Sequence, residues 1–331
     1  MTSTPTVDAQ AVTRALTNAT ITASHAPSIH NTQPWRWRTH GHHLDLFVDQ
    51  NRALPVTDPD RRLAILSCGA ALHHALISLA ADGQHVTVTR QPDNARPGHL
   101  ATIRVDARIP VEPVAIRRLQ TVALRHTDRR AVSGTAVDAD TLRSIATAAA
   151  ESQQTLLHVL RPRQVLDLAS AADHAQRIES DDEAWQAELR EWTGGTRTLG
   201  TGIPDAVIPR KASPTTVPGR DFGHPGDMAI ADTHDRAAVF AILYGPGDSD
   251  LDWLRAGEAL SAAWLKATEL GISVVPMSAA IEVTTTRETV RHLLSDLGHP
   301  YLVLRLGVLD PDTAGPPRTP RLPAGQTVER R

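Results

Sequence analysis

The residues best suited to chemistry lie in one short segment, residues 24–37, which reads SHAPSIHNTQPWRW. Its two prolines each remove a backbone donor and hold the preceding residue extended, so the chain between them is a stiffened loop. That loop presents the hydroxyl of Ser28 and the amides of Asn31 and Gln33. Each amide offers a donor and an acceptor, which suits the edge of a planar heterocycle. The alternative is a turn at the end of a helix, after which the two tryptophans begin a strand and pack into the core.

A second polar cluster, residues 125–130, reads RHTDRR. Arginine forks match phosphate oxygens bidentately, and a hydroxyl and a histidine add further donors. The composition is therefore typical of a phosphate cradle. The alternative is a solvated run of charge on the surface.

The first segment resembles the Pro-Ser-x-x-Asn-x-Gln-Pro-Trp signature of the FMN-dependent nitroreductase superfamily, and residues 26–37 are most similar to its actinobacterial Acg-type branch. In that family this loop lies against the flavin. The resemblance thus implies one FMN cofactor, with contacts from Pro27, Ser28, Ile29, His30, Asn31 and Gln33.

The resemblance extends to both ends of the FMN phosphate site. Residues 125–129 resemble the family's Arg-[Arg/His]-Ser-x-[Lys/Arg] motif, with a threonine keeping the hydroxyl of the usual serine. Residues 317–323, PRTPRLP, resemble the closing basic segment that returns to the same phosphate, although Thr319 stands where a lysine is common. The implied contacts with the phosphate or the ribityl chain are Arg125, His126, Thr127, Arg129, Arg318 and Arg321.

Residues 270–282 resemble the family segment whose backbone runs over the isoalloxazine and donates to N5, which implies contacts from Pro276, Met277 and Ser278. The Glu-Gly pair that is common after the proline is missing. The alternative is a buried strand leading into a helix. No side chain is implied as catalytic, because the flavin carries the hydride chemistry. No lysine lies in any of these motifs to stabilise an anionic reduced flavin.

Composition excludes several other functions. The chain has 331 residues, 41% of them hydrophobic, and a formal net charge of −3, which gives no global field for nucleic acid or an anionic membrane. We expect a cytoplasmic protein, since the N-terminus resembles no signal peptide and no apolar run reaches membrane-spanning length.

The single cysteine, Cys68, lies in an apolar run and is expected to be a buried thiol. No spacing of histidines indicates a metal site.

Hydrophobic periodicity and the placement of proline and glycine predict an α+β protein. Helices are expected at 8–24, 62–81, 113–124, 139–150, 165–190, 251–270 and 287–297. Strands are expected at 35–38, 44–48, 85–89, 101–105, 156–160, 237–244, 272–275 and 301–308. Residues 193–232 show no sustained period and many glycines and prolines, which is typical of a lid, a binding loop or a disordered segment.

The two halves of this pattern repeat one plan, which predicts two tandem nitroreductase-like repeats. We place the first repeat at residues 1–110, with the ring loop, and the second at 111–331, with the phosphate motif and a lid-like insertion at about 193–232. Homodimers of the family take the phosphate contacts and the ring loop of each flavin site from different subunits. A chain with each motif once is therefore expected to be a monomeric pseudo-dimer with one FMN, and its second pseudo-symmetric site is expected to be inactive.

Two functions from different classes remain open. One is an NAD(P)H-dependent oxidoreductase that passes hydride through FMN to a nitroaromatic or quinone-like acceptor. The other is a protein that sequesters or stores FMN under a closed lid, with little or no turnover. Whether the chain is an enzyme stays undecided at this point.

Overall fold

Two β-sheets organise the computed structural model of the chain, with two long helices packed between them. The described residues are 9–93, 95–96, 98–132, 134–151, 154–195, 200–212, 215–230, 234–309 and 315–330.

The first sheet comes almost entirely from the N-terminal part of the chain. Its strands run in the order β3-β4-β2-β1-β9, and β9 is a C-terminal strand that pairs in parallel with β1. The elements are α1 (Ala9–Ala23), β1 (Trp35–His40), β2 (His43–Val48), α2 (Arg62–Ala81), β3 (Gln84–Arg90), β4 (His99–Arg108) and β9 (Val328–Arg330). The C-terminus thus returns to the sheet in which the chain began.

The second sheet follows helix α3 (Pro113–Leu124) and is antiparallel throughout, in the order β5-β6-β8-β7. Its elements are α4 (Ala139–Glu151), β5 (Leu156–Val159), β6 (Val239–Gly245), α7 (Asp250–Glu269), β7 (Ile272–Met277) and β8 (His299–Val308). Helices α5 (Pro162–Asp181) and α6 (Glu183–Trp192) and the long insertion lie between β5 and β6.

The two sheets have the same topology. Beginning at β1, the strands of the first sheet lie in the order β1-β2-β4-β3, and those of the second lie in the order β5-β6-β8-β7. Along the sequence, α2 lies between β2 and β3, and α7 lies in the equivalent place between β6 and β7. The prediction of an α+β fold with two tandem repeats in one chain is confirmed. The boundary at residue 110 stays a prediction.

Helices α2 and α7 cross at a pair of equivalent glycines. Both helices have 20 residues, and Gly69 and Gly257 are each the eighth. A Cβ atom built on Gly69 would lie 2.9 Å from the Gly257 Cα, and one on Gly257 would lie 2.8 Å from the Gly69 Cα. The glycines therefore allow the two backbones to touch at the pseudo-twofold axis.

The central helices form the core of the molecule. Among the described residues α2 is the single helix long and apolar enough to cross a membrane, and 83% of that stretch is buried within the fold. Cys68 lies in it, and burial raises the pKa of the thiol, as expected of a core cysteine. Four of the six tryptophans are almost fully buried: Trp35, Trp37, Trp253 and Trp264.

The prediction of a single helix over residues 165–190 is wrong, because α5 and α6 are separate. Asp182 between them has an extended backbone (φ −99°, ψ 110°), and its carboxylate accepts from the amides of Ala184 and Trp185. An aspartate at this place caps a new helix better than it continues the old one.

The prediction for residues 287–297 also needs correction. The chain forms a short helix α8 (Ala279–Glu282) and then α9 (Thr284–Leu293), and positive φ angles at Ser295 (53°) and Asp296 (58°) follow α9. Thr286 binds the carbonyls of Ala280 and Val283 and so stabilises the earlier start.

The insertion packs onto the fold with an apolar cluster of its own. It contains a short 3-10 helix, Asp205–Val207, and isolated bridges from Thr193 to Ile203 and from Pro209 to Met228. The cluster is formed by Trp185, Leu189, Ile203, Val207, Ile208 and Phe222. Residues 196–199, 213–214 and 231–232 of the expected lid lie outside the described residues.

Candidate functional site

The loop between α1 and β1 has a strained, fixed backbone. A single 3-10 turn, Ile29–Asn31, follows Pro27, and φ is positive at His30 (44°), Asn31 (55°) and Gln33 (52°). The Ser28 hydroxyl accepts from the Gln33 amide at 3.0 Å. Non-glycine residues in this region are costly and persist where the surroundings hold them, which happens most often at functional sites.

The two amide side chains of this loop tie other segments to it. Asn31 Nδ2 donates to the carbonyl oxygens of Gly202 (3.0 Å) and Pro320 (3.1 Å). Gln33 Nε2 donates to the Gly200 carbonyl, and Gln33 Oε1 accepts from the Leu322 amide at 3.0 Å. Both amides therefore join the insertion and the C-terminal segment to the loop, which the sequence pattern did not predict.

The loop forms one wall of a cavity of about 890 Å³. Of the fifteen residues selected from the sequence, fourteen line it: Pro27, Ser28, Ile29, His30, Asn31, Arg125, His126, Thr127, Arg129, Pro276, Met277, Ser278, Arg318 and Arg321. Gln33 is completely buried behind the wall and does not line the cavity. Three distant parts of the sequence thus meet at one site.

Arginines without acidic partners form one end of the cavity. Within the described part of the chain, no ion pair involves Arg125, Arg129, Arg318 or Arg321. Arg125 is 5% exposed, and its Nε and Nη1 have no hydrogen-bond partner. Burial, followed by repulsion from Arg321 and Arg318, lowers the pKa of Arg125 to about 9. A buried guanidinium with free donors is costly unless an anion completes it.

Protein contacts hold these guanidinium groups in place. Arg125 stacks over the Trp264 ring, 4.6 Å from its centroid, and donates to the His25 carbonyl at 3.1 Å. Arg321 Nη1 donates to Asn31 Oδ1 at 3.1 Å. Arg129 lies over Phe222 at 5.4 Å, and burial together with the charge of Arg220 lowers its pKa to about 10. The cationic end is therefore preorganised.

Apolar side chains from both repeats and from the insertion form the remaining walls. They are Ile29, Leu63, Leu66, Leu168, Ala172, Ile203, Ile208, Val217, Phe222, Leu260, Trp264, Leu302 and Val303. A cavity with a cationic end and apolar walls can bind a ligand that has an anionic tail and a flat apolar body.

A buried ionic cluster holds the insertion over this cavity. Arg220 of the insertion pairs with Glu282 of α8, and its Nη2 donates to the Ser278 hydroxyl at 3.2 Å. Arg220 Nη1 lies 3.8 Å from Glu179 Oε2, and the guanidinium covers the Trp185 ring at 5.2 Å. Sequence reasoning missed this cluster because its members come from three separate segments and no spacing joins them.

His30 of the loop lies close to this cluster. Burial, with a smaller contribution from Arg220, lowers its pKa to about 3, so the ring is neutral near pH 7. Across the residues that the structure describes, no group of three or more His, Cys, Asp or Glu side chains could hold a metal ion.

Two solved nitroreductases overlap about two thirds of the chain. A nitroreductase with bound FMN from Bacteroides fragilis has a TM-score of 0.39 and 17% identity, covering 63% of this chain and 95% of its own. One with bound FMN from Desulfitobacterium hafniense has a TM-score of 0.40 and 14% identity, covering 64% and 97%. No protein-family model matches the chain.

Curated relatives match nearly the whole chain. The "Putative NAD(P)H nitroreductase Rv3131" of Mycobacterium tuberculosis is 38% identical, covering 97% of this chain and 92% of that protein. The "Putative NAD(P)H nitroreductase acg" of the same organism is 32% identical, covering 96% of each. Such identity over nearly the full length, on a chain that carries the loop and arginine motifs at one cavity, shows that the chain belongs to the Acg-type NAD(P)H nitroreductase family.

Proposed function

We propose that the cavity binds one FMN per chain and that the protein is an NAD(P)H-dependent oxidoreductase that reduces nitroaromatic or quinone-like acceptors. The observation that carries this proposal is the set of buried arginine donors without partners, on Arg125 and Arg321, in a cavity that the loop 27–31 and the Ser278 segment also line. The names of the relatives point to the same activity.

The residues present fit the FMN phosphate. Arg125 Nε and Nη1 and Arg321 Nε are buried without a partner, so a phosphate would supply the missing acceptors. Arg129, Arg318 and Thr127 line the same cavity and would complete the cradle. Repulsion among the arginines, which lowers the pKa of Arg125, would be relieved by a dianion.

The remaining walls of the cavity fit a flat ring. Pro276, Met277 and Ser278 at the end of β7 line the cavity together with Ser28 and Asn31 of the loop. FMN, when bound, supplies reversible two-electron hydride transfer. The protein would contribute the orientation of the ring, hydrogen-bond donors near its edge and a cavity with little access for water.

The asymmetry of the repeats supports one FMN per chain. The connection between α1 and β1 is residues 24–34, and the equivalent connection between α4 and β5 is only residues 152–155. Such a short connection cannot form the loop that lines the cavity. The second half therefore has no ring wall at the equivalent place.

The storage function remains the second candidate, and the Arg220 cluster favours it. That cluster holds the insertion down with ionic contacts whose side chains are no more than 11% exposed. A firmly held insertion would keep nicotinamide and acceptor away from the ring.

Anaerobic mixing of the purified protein with NADPH or NADH separates the two functions. Bleaching of the flavin absorbance within minutes is expected for the reductase, and persistent yellow colour would contradict it. Deletion of residues 204–218, or Arg220→Ala, is expected to restore bleaching if the insertion is the obstacle. Arg190→Ala on the exposed side of α6 is the matched control, since it lies outside the cluster.

A further inference from the structure

Two buried carboxyl groups stand directly behind the cavity wall. Glu179 of α5 and Glu282 of α8 have side chains 4% and 1% exposed, and neither lines the cavity. Both contact the same cation, Arg220 of the insertion. The pair is thus enclosed between two helices and the insertion.

The charges around this pair do not balance unless a proton is present. Glu179 and Glu282 both lie against the guanidinium of Arg220, and Glu179 Oε1 and Glu282 Oε2 are both buried without a hydrogen-bond partner. Two carboxylates cannot hydrogen-bond to each other, and one guanidinium neutralises only one of them. One proton between the two groups would remove the repulsion and satisfy the unpaired oxygens.

The other polar groups around the pair do not supply that charge. They are the neutral His30 of the loop, the Ser278 hydroxyl at the start of α8 and, farther away, the carboxyl of Asp58 before α2. The guanidinium of Arg129 acts on His30 and Arg220, but among the described residues it forms no ion pair with either glutamate. His30 Nε2 is itself buried without a partner. Burial, opposed by Arg220 and reinforced by Glu282, raises the pKa of Glu179 to about 8. Arg220 outweighs burial at Glu282 and lowers the pKa of that carboxyl.

Ser278 connects the pair to the cavity. Its hydroxyl accepts from Arg220 Nη2 at 3.2 Å, the same nitrogen that donates to Glu282, and the residue itself lines the cavity. The hydroxyl thus lies beside Glu282 at the cavity wall.

We propose that Glu179 and Glu282 hold one proton between them and deliver it, through the Ser278 hydroxyl, to the molecule reduced in the cavity. This inference rests on the proposed function, because reduction of a nitro group or a quinone needs a proton for each hydride. Ser278 would be the catalytic residue of the step, and the two glutamates would be positioning residues that act through it.

The step balances in protons and electrons. The two electrons reach the acceptor with the hydride, from NAD(P)H by way of FMN. A new O–H bond forms on the reduced acceptor as the Ser278 O–H bond breaks, and the Ser278 hydroxyl is restored as the O–H bond of the acidic pair breaks. Both carboxyl groups are then ionised beside Arg220, and water returns the proton to them.

Infrared difference spectroscopy of the purified protein tests the shared proton without turnover. In an Asp58→Asn background, which removes the other carboxyl with a raised pKa, we expect a protonated carboxyl band near pH 7. Glu179→Gln and Glu282→Gln should each abolish it, because a single carboxyl beside Arg220 ionises. Glu188→Gln, which removes a buried carboxylate bound to the amides of Val56 and Thr57, should retain it. A band that is absent from the parent, or that survives either substitution in the pair, overturns the proposal.

Delivery through Ser278 is tested on protein reduced chemically with dithionite and then mixed with p-benzoquinone. Ser278→Ala is expected to slow reoxidation by on the order of a hundredfold and to remove the decline of the rate above about pH 8. A wild-type rate and pH profile in that variant would overturn the delivery step. Because dithionite replaces NAD(P)H, failure of the nicotinamide to bleach the flavin would contradict only the proposed function.

Discussion

Among single residues, Arg125 has surroundings that favour an anion in this cavity. Its guanidinium is buried, stacked on Trp264 and held by the His25 carbonyl, yet two of its nitrogens have no partner. Holding this incompletely bonded cation in a buried position lowers the stability of the folded protein, which is typical of a preorganised ligand site.

Replacing Arg125 and Arg129 together by alanine is expected to abolish FMN retention, because the phosphate loses two guanidinium groups at the buried end of its cradle. Flavin content after gel filtration is the measurement. The matched control is the double substitution Arg143→Ala and Arg177→Ala, which removes two exposed helical arginines and should leave the flavin content unchanged. Retention at the wild-type level in the Arg125/Arg129 variant would contradict the phosphate site.

The pH dependence of stability should report on Glu179. Its pKa is raised in the folded protein from 4.5 to about 8, so the stability from its bound proton is complete below pH 4.5 and is lost as the pH rises through about 8. The free energy of unfolding should therefore fall by about 1 kcal/mol between pH 7 and pH 9 relative to Glu179→Gln. Urea unfolding at the two pH values measures this, and parallel curves for the two proteins would contradict it.

At the scale of elements, the crossing of α2 and α7 determines how close the two repeats come. The two glycines at the crossing have no room for a side chain, since a Cβ on Gly257 would overlap the Leu66 carbonyl oxygen and one on Gly69 the Leu254 carbonyl oxygen. The cavity draws walls from both helices, through Leu63 and Leu66 of α2 and Leu260 and Trp264 of α7. The crossing therefore fixes the width of the site.

The sign of the change in the free energy of unfolding of Gly257→Ala tests this crossing. Alanine in a helix interior normally stabilises by about 1 kcal/mol relative to glycine, but overlap with backbone at the crossing should destabilise the protein by about 2 kcal/mol. Chemical denaturation provides the measurement. Ala262→Gly, at a half-buried position of the same helix, is the control and should cost about 1 kcal/mol from helix propensity alone. A stabilised Gly257→Ala protein would show that the helices are not in contact there.

For the molecule as a whole, two repeats contribute different segments to one asymmetric cavity. The first repeat supplies the loop, the second supplies the arginines and the Ser278 segment, and the insertion and C-terminal segment close the site from outside. Strand β9 then joins the C-terminus to the first sheet. Each half of the sequence thus depends on the other for the site.

The expected flavin content is one FMN per chain, because the connection between α4 and β5, residues 152–155, is too short to form a loop like residues 24–34. Absorbance of flavin released by denaturation, divided by protein concentration from amino-acid analysis, measures the ratio. A ratio approaching two would contradict the single site. The Arg125/Arg129 variant supplies the baseline for flavin bound elsewhere.

The family, the repeat plan and fourteen of the residues that line the cavity could be predicted from the amino-acid sequence, because these depend on local motifs and on the period of apolar residues. Both ends of α2 and of α3 were also predicted, since Asp82-Gly83 ends the apolar pattern of α2 and Pro113 opens α3. The break at Asp182 was missed, because amphipathic periodicity continues across a capping residue.

The groups behind the cavity wall could be identified only in the folded chain. The amides of Asn31 and Gln33 bind backbone carbonyl and amide groups some 170 and 290 residues away, which no side-chain pattern in the sequence records. The cluster of Arg220, Glu179 and Glu282 likewise depends on three segments that meet only in the folded chain. Local motifs determine which residues can bind a ligand, whereas burial and the pairing of distant charges, which set pKa values and hold the insertion in place, exist only after the chain has folded.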